Sequence, residues 1–191
     1  FSRTNLDHLK KHYPVVVKRK IPYNLFQTFE TKDISPALQA FLDSWKERNP
    51  EYTYTFHDSK QRDQFMREFD IRVWKAYRRL IPGAFKADLW RCCVLYKYGG
   101  VYADIDMICL GKIDDFLNET TEFVLADNLN KNFLCNAFIA APPGSEILRD
   151  CIHRMVKMVE TESFPEDRGY FACGIIAKCV NKLMRLHENS S

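Results

Sequence analysis

The stretch from residue 84 to residue 110 limits most strongly what this 191-residue chain can fold into. Apolar side chains recur at helical spacing over residues 84–98, and two glycines, Gly99 and Gly100, end that helix. Residues 101–110 begin with an apolar run and are predicted to be extended. A helix that turns at once into a buried strand is a unit of layered α/β folds, so we predict that class.

Strand and helix patterns alternate throughout the first half of the chain. Short apolar or aromatic runs predict strands over residues 21–29, 52–56, 122–126 and 133–140. Helical spacing or capping residues predict helices after Ser35-Pro36, over 59–69 and 71–80, after Ser145, and over 173–186. The alternation predicts one domain over residues 1–191, with a mostly parallel sheet and a ligand at the carboxyl ends of its strands. Residues 1–20 are a polar lead-in, and the start at Phe1 suggests a fragment of a longer protein.

Composition argues against several classes of protein. A net charge of +3 is too small to indicate nucleic-acid binding, and 14 Phe and 9 Tyr argue against disorder. No apolar run reaches the ~18 residues of a membrane span. The seven cysteines form no C-x-x-C pair, which favours reduced thiols in a cytoplasmic protein over a disulfide framework. The Golgi lumen is the alternative location if an anchor has been removed.

Two aspartates, Asp104 and Asp106, carry the main chemical signal. Residues two apart on an extended segment point to one face, where their carboxylates repel each other unless a cation lies between them. Oxygen ligands completed by water and phosphate suit Mn²⁺ or Mg²⁺. Such an ion would offset the charge on a diphosphate leaving group. The triplet alone is weak evidence, because a solvated turn is the ordinary alternative.

A second pair of charged residues, Asp88 and Arg91, lies three apart on the preceding helix and so shares a face. An aspartate can bind ribose hydroxyls, and an arginine can bind phosphate through two hydrogen bonds. The alternative is a surface ion pair worth about 0.3 kcal/mol. Residue type and spacing leave both readings open.

Together these residues resemble a known family of enzymes. The matching elements are Ala87-Asp88, Arg91, Leu95-Tyr96, Gly99-Gly100, Tyr102 and Asp104-Ile105-Asp106, preceded by 21–29 and followed by 136–142. They are similar to the DXD sugar-binding region of family 32 glycosyltransferases, a group that includes fungal α-mannosyltransferases, bacterial capsular sugar transferases and virus-encoded transferases. The resemblance covers residues 21–145.

The resemblance implies a GT-A fold, which is a single Rossmann-like α/β/α sandwich, and a nucleoside diphosphate sugar as donor. It implies Mn²⁺ or Mg²⁺ bound directly by Asp106, with Asp104 at the same metal site, where it touches the ribose and the water shell of the metal. It assigns nucleotide-sugar binding to Phe26, Gln27, Thr28, Asp88, Arg91, Gly100, Tyr102, Asp104 and Ile105. It places Asn136 against the donor sugar or the acceptor, as a catalytic candidate.

Departures from the family pattern leave the donor's base open. Phe26 and Phe29 stand where the family usually has His and Trp. We favour a UDP-sugar, with GDP-mannose next, as donor of a hexose or deoxyhexose to a glycan or glycoprotein acceptor. No third protein ligand for the metal is assigned, and His187 is a candidate. The chain most resembles a domain of a virus-encoded transferase, one that decorates a capsid protein.

Asp127 ends another predicted strand and is the candidate catalytic base or acceptor contact, with turn formation as the alternative. A base is needed only if the transfer inverts the anomeric configuration. Two other functions stay open. One is a haloacid-dehalogenase-type phosphatase, in which the first aspartate of D-x-D is a nucleophile but Thr or Val usually follows the second, where this chain has Met107. The other is a non-catalytic nucleotide-sugar-binding module.

Overall fold

The computed structural model describes residues 19–127, 134–164 and 171–188, with the backbone alone for residue 127 and for 183–188. The strands in this part of the chain are β1 (Asn24–Thr28), β2 (Thr53–His57), β3 (Gly100–Ala103), β4 (Val124–Asp127) and β5 (Leu134–Ala141). The helices are α1 (Pro36–Arg48), α2 (Ser59–Phe69), α3 (Ile71–Arg79), α4 (Gly83–Tyr98), α5 (Glu146–Glu160) and α6 (Phe171–Glu188). A short 3-10 helix covers Ile113–Asp115. None of these helices is long and apolar enough to cross a membrane.

The five strands form one mixed sheet in the order β2-β1-β3-β5-β4. β1 is parallel to β2 and to β3, whereas β5 is antiparallel to both β3 and β4. Four strands therefore run in one direction and β5 runs against them. The predicted α/β class is confirmed, but the sheet is less parallel than the alternation suggested. The six residues between β4 and β5 are too few for a parallel crossover, which needs about a dozen.

Helices cover both faces of the sheet, and alternation along each strand assigns side chains to one face or the other. Phe26 and Tyr102 point into the larger core, which lies under α2 to α6. Leu25 and Val101 point into a smaller core under α1, which includes Trp45. Local sequence starts these helices where predicted. The Ser35 side chain caps α1, and Asp58 with Gln61 forms a capping box on α2.

The segment after β3 differs from the extended run that was predicted. β3 ends at Ala103, and the Met107 amide donates to the Asp104 carbonyl oxygen at 3.3 Å, which closes a turn. The Asp104 amide still bonds the Ala137 carbonyl of β5 at 2.8 Å, so the ladder stops there. Asp104 and Asp106 therefore lie on a turn rather than along one face of a strand. The Asp104 side chain is 30% exposed, and Asp106 lies in solvent.

Gly100 has a structural role in the sheet, and its predicted binding of the nucleotide sugar stays a prediction. It begins β3, so the whole strand separates it from Asp104 at the other end. Its φ is +121°, and a Cβ there would lie 2.5 Å from the Asn24 carbonyl oxygen of β1. The residue is glycine because the backbone of β1 passes too close for any side chain.

Replacing Gly100 with alanine should lower the free energy of unfolding by about 2–3 kcal/mol, because the strained φ and the contact with Asn24 act together. The matched control is Gly144→Ala, which has φ +72° but no atom within 4 Å of the added Cβ. Strain alone should cost the control about 1 kcal/mol. Urea denaturation measures both, and equal losses would show that the approach of β1 is unimportant.

Candidate active site

The candidate site lies at the carboxyl edge of β1 and β3. The chain reverses at Gly99, so α4 runs antiparallel to β3 and its first half returns to the carboxyl end of that strand. This geometry brings Asp88 and Arg91 of α4 beside Asp104. The edge also receives Asn136, because β5 runs in the opposite direction and begins there.

Arg91 is the centre of the cluster. Its side chain is 6% exposed, and Nη2 lies 3.3 Å from Oδ1 of Asp88 and 3.1 Å from Oδ1 of Asp104. Nη1 donates to the Asn136 carbonyl oxygen at 2.6 Å. The guanidinium also lies over the Tyr102 ring, 4.3 Å from its centroid. The Asp88–Arg91 pair is thus a buried network rather than a surface ion pair, and Arg91 holds two carboxylates instead of pointing into solvent.

Asn136 and Tyr102 also hold the two buried aspartates, Asp88 and Asp104, in place. The Asn136 amide donates to Oδ1 of Asp88 at 2.7 Å, and the Tyr102 hydroxyl donates to Oδ1 of Asp104 at 2.5 Å. Sequence reasoning missed Cys173, whose thiol donates to Oδ1 of Asn136 at 3.3 Å. No spacing rule links residue 173 to residue 136, so only the docking of α6 reveals this contact.

Burial dominates the electrostatics of the cluster. It raises the pKa of the Asp88 and Asp104 carboxyls, and the positive charge of Arg91 opposes that rise in both. The nearby charge of Asp106 adds to the rise at Asp104. Burial also raises the pKa of the Tyr102 hydroxyl well above its usual value, so Tyr102 acts as a neutral donor. Asp88 and Asp104 share one guanidinium and Asp106 lies nearby without a cationic partner among the described residues, which leaves negative charge that a bound cation would offset.

The donor set at Asp104 and Asp106 fits a hard divalent cation. Both residues offer carboxylate oxygens that are at least partly open to solvent. In the part of the chain that the structure describes, no group of three or more His, Cys, Asp or Glu side chains gathers to hold a metal. Mg²⁺ and similar ions are usually bound by one or two carboxylates together with waters and substrate phosphates, so two carboxylates suffice. The side chain of His187, the third candidate ligand, lies outside the described residues.

The three residues of β1 that were predicted to line the nucleoside pocket lie in different surroundings. Phe26 packs in the larger core, where its ring stacks on that of Tyr98 with 6.3 Å between the ring centroids. The Thr28 hydroxyl donates to the His57 carbonyl oxygen at 2.6 Å. Gln27 faces the other way, and its amide donates to the Asp104 carbonyl oxygen at 3.1 Å. Strand alternation explains the split, because neighbours on β1 cannot share a face.

Two further predicted residues lie near the cluster. Ile105 is buried between the two acids of the turn, so its side chain anchors the turn rather than facing solvent. Asp127 ends β4 opposite Leu134, at the same edge of the sheet as Asp104 but with β5 between them. Its role as catalytic base or acceptor contact stays a prediction.

His57, at the carboxyl end of β2, is a titratable residue beside the site. Its ring meets the Trp90 ring edge to face at 5.2 Å, and Nδ1 is buried with no hydrogen-bond partner in the described part of the chain. Burial lowers the pKa of His57. The unfolded chain therefore binds a proton more readily, and the folded protein should lose stability as the pH falls through about 6.5.

The substitution His57→Phe keeps an aromatic ring in the same contacts and removes the imidazole, which is the group that titrates. Between pH 7.5 and pH 5.5 the free energy of unfolding should fall less in the variant than in the parent. One titrating group changes this free energy by at most ~1.4 kcal/mol per pH unit, and we expect a fraction of that because the His57 ring is only half buried. Urea midpoints at the two pH values measure the difference. An identical pH response in both proteins would contradict the assignment.

The sequence of this chain is similar to those of known proteins. Residues 35–123 match the family model described as a glycosyltransferase sugar-binding region containing a DXD motif. The initiation-specific alpha-1,6-mannosyltransferase of Candida albicans is 28% identical over 121 residues, which are 60% of this chain and 31% of that protein. Inositol phosphoceramide mannosyltransferase 1 of Schizosaccharomyces pombe is 27% identical over 144 residues, which are 72% of this chain and 44% of that protein. The chain therefore spans less than half the length of these curated relatives.

Solved structures show the same fold. The PaToxG glycosyltransferase superposes with a TM-score of 0.70 at 17% identity, covering 87% of this chain and 71% of that one. The UDP-bound glycosyltransferase domain of the YGT toxin gives a TM-score of 0.56 at 10% identity, covering 88% and 68%. The predicted GT-A fold and the predicted resemblance to DXD-containing glycosyltransferases are confirmed, whereas the virus-encoded origin stays a prediction. Residues 35–123 of this chain match a DXD-containing glycosyltransferase sugar-binding region, and they lie in a domain with the GT-A glycosyltransferase fold.

Proposed function

We propose that this chain is the catalytic domain of a metal-dependent glycosyltransferase that moves a hexose or deoxyhexose from a nucleoside diphosphate sugar to a glycan or glycoprotein acceptor. The observation that carries the proposal is the Arg91-centred cluster, which fixes Asp88 and Asp104 beside the exposed Asp106. Such an arrangement presents preorganised carboxylates at the carboxyl edge of the sheet, where α/β folds bind their ligands.

Each acid has a distinct proposed role. Both contacts to Asp88, from Arg91 and Asn136, engage Oδ1, so Oδ2 is the oxygen we assign to a ribose or sugar hydroxyl. Asp106 would bind Mn²⁺ or Mg²⁺ directly, with Asp104 beside it, and the ion would supply positive charge for the departing diphosphate. Arg91 takes a different role from the predicted phosphate contact, because its donors are already engaged within the cluster.

Two observations bear on the donor, and they favour different nucleotide sugars. The curated relatives are named mannosyltransferases, which supports GDP-mannose. One solved structure of the same fold is UDP-bound, which supports a UDP-sugar. The S. pombe relative is named for an inositol phosphoceramide acceptor, so a glycolipid belongs in the acceptor panel beside glycans and glycoproteins.

A thermal-stability panel tests the proposal. UDP-glucose, UDP-N-acetylglucosamine, UDP-galactose, GDP-mannose and ADP-glucose are each added with Mn²⁺ or with EDTA. A ligand at 100 times its dissociation constant stabilises the folded state by about 2.7 kcal/mol, so a binding donor gives a clear rise in melting temperature. We expect a UDP- or GDP-sugar to act only with Mn²⁺. No rise with any nucleotide would sink the proposal, and a rise without sugar turnover would favour a binding module.

A further inference from the structure

We propose that Trp45 and Gln27 are positioning residues that set the turn from Asp104 to Met107 and thereby place Asp106 for its metal. The inference rests on the proposed function, because it concerns the same acids. It comes from the face of the sheet opposite Arg91, where α1 and β1 reach the backbone of the turn.

The turn is held by its two terminal carbonyl groups. The indole Nε1 of Trp45 donates to the Met107 carbonyl oxygen at 2.7 Å. The Gln27 amide donates to the Asp104 carbonyl oxygen at 3.1 Å, where the Met107 amide also donates. Both donors are side chains of the smaller core, from α1 and β1, so the turn is fixed to the body of the domain at its first and last residue.

Gln27 is itself held in place. It is fully buried, and the Tyr54 hydroxyl of β2 donates to its Oε1 at 3.2 Å. A buried amide is costly unless its donor and acceptor are both satisfied, and here the loop carbonyl and the tyrosine satisfy them. Tyr54, Gln27 and the Asp104 carbonyl therefore form a chain of hydrogen bonds that runs across two strands to the turn.

Asp106 depends on this backbone support. Within the described residues no hydrogen bond or ion pair joins its carboxylate to another side chain, whereas Asp104 is held by Arg91 and Tyr102. The backbone of the turn is then what sets the direction of the Asp106 side chain. Partners that orient a metal ligand typically change metal affinity or activity 10- to 100-fold when they are removed.

Conservative variants remove the donors and keep the packing. Trp45→Phe keeps a ring against Phe138, which stacks on Trp45 at 6.1 Å, but loses the N–H. Gln27→Met keeps the length of the side chain, and Tyr54→Phe removes only the outer hydroxyl. Trp74→Phe is the matched control, because Trp74 Nε1 donates to Asp63 at 3.1 Å on the other face of the sheet.

Two readouts besides activity test the inference. Electron paramagnetic resonance of free Mn²⁺, with UDP or with GDP present, measures metal affinity, and hydrogen exchange of the Met107 amide in metal-free protein measures the turn. We expect Mn²⁺ affinity to fall about 10- to 100-fold in Trp45→Phe and Gln27→Met, with faster Met107 exchange. Trp74→Phe should match the parent in both. Tyr54→Phe should also lower Mn²⁺ affinity and speed Met107 exchange. If Trp45→Phe or Gln27→Met fails to fold, the result for Tyr54→Phe decides whether the positioning role holds.

The possible outcomes separate this inference from the proposed function. If the parent binds Mn²⁺ with nucleotide and the variants bind it equally well, the positioning role is wrong and the proposed function stands. Faster Met107 exchange with unchanged Mn²⁺ affinity also overturns the positioning role. In that case Trp45 and Gln27 would stabilise the turn, but the turn would not affect metal binding. If the parent shows no metal-dependent nucleotide binding, the proposed function fails and this inference fails with it.

Discussion

Arg91→Met is expected to lower the free energy of unfolding by about 3–5 kcal/mol, the range found when one partner of a buried ion pair is removed. The substitution leaves Asp88 and Asp104 buried without the guanidinium that opposes the rise in their pKa. It also leaves the Asn136 carbonyl oxygen without its donor. Urea denaturation at pH 7.5 gives the value, and glycosyl transfer should be lost in the same variant.

The matched control for that experiment is Arg149→Met on α5. Arg149 pairs with Glu146 at the same i,i+3 spacing as Arg91 with Asp88, but both side chains are exposed and lie 3.5 Å apart. An exposed pair of this kind contributes ~0–1 kcal/mol, so the control should lose little. Similar losses in the two variants would mean that the Arg91 network is no stronger than a surface ion pair.

Asp106→Asn is expected to lower the turnover of the donor by about 10²- to 10³-fold, because the metal supplies several kcal/mol of charge stabilisation and each 1.36 kcal/mol is tenfold in rate. The side chain is exposed, so the free energy of unfolding should change by less than about 0.5 kcal/mol. Initial rates at saturating Mn²⁺, together with a urea titration, separate the chemical effect from a folding effect.

Asp150→Asn serves as the control for charge loss. Asp150 is an aspartate of α5 that pairs with Lys182 at 2.9 Å, and it belongs to neither the cluster nor the turn. Its substitution removes the same charge and should leave the rate unchanged. A rate for Asp106→Asn within a few-fold of the parent would remove Asp106 from the proposed metal site.

The charged pair on α4 shows how far sequence reasoning could reach. Its i,i+3 spacing correctly predicts that Asp88 and Arg91 share a face of a helix. Spacing does not state what covers that face, and the covering residue, Asn136, lies 45 positions from Arg91. The choice between a surface ion pair and a buried site therefore depends on tertiary contacts, and the match to a known family was what favoured the site.

The turn after β3 and the residues of β1 show where prediction from the sequence fell short. The apolar run after Gly100 correctly predicted a strand before the acids, but the predicted extension to residue 110 was wrong. The chain turns after Ala103, and hydrogen bonds from Trp45 and Gln27 hold that turn. The helical spacing of apolar residues after Ser35-Pro36 puts Trp45 on the apolar side of α1, which is correct for its ring but says nothing about its N–H. Period-two alternation likewise separates Phe26 from Gln27 without saying which of them faces the site.

The cluster around Arg91 also bears on how the chain acquires activity during folding. Its atoms come from α4, β3 and β5, and α6 adds the thiol of Cys173. A chain whose helices have formed but whose β5 has not docked keeps the guanidinium in water and the acids apart. The proposed activity should then emerge only after β5 has docked. Recovery of turnover after dilution from urea would time the completion of folding, whereas helical circular dichroism would report an earlier event.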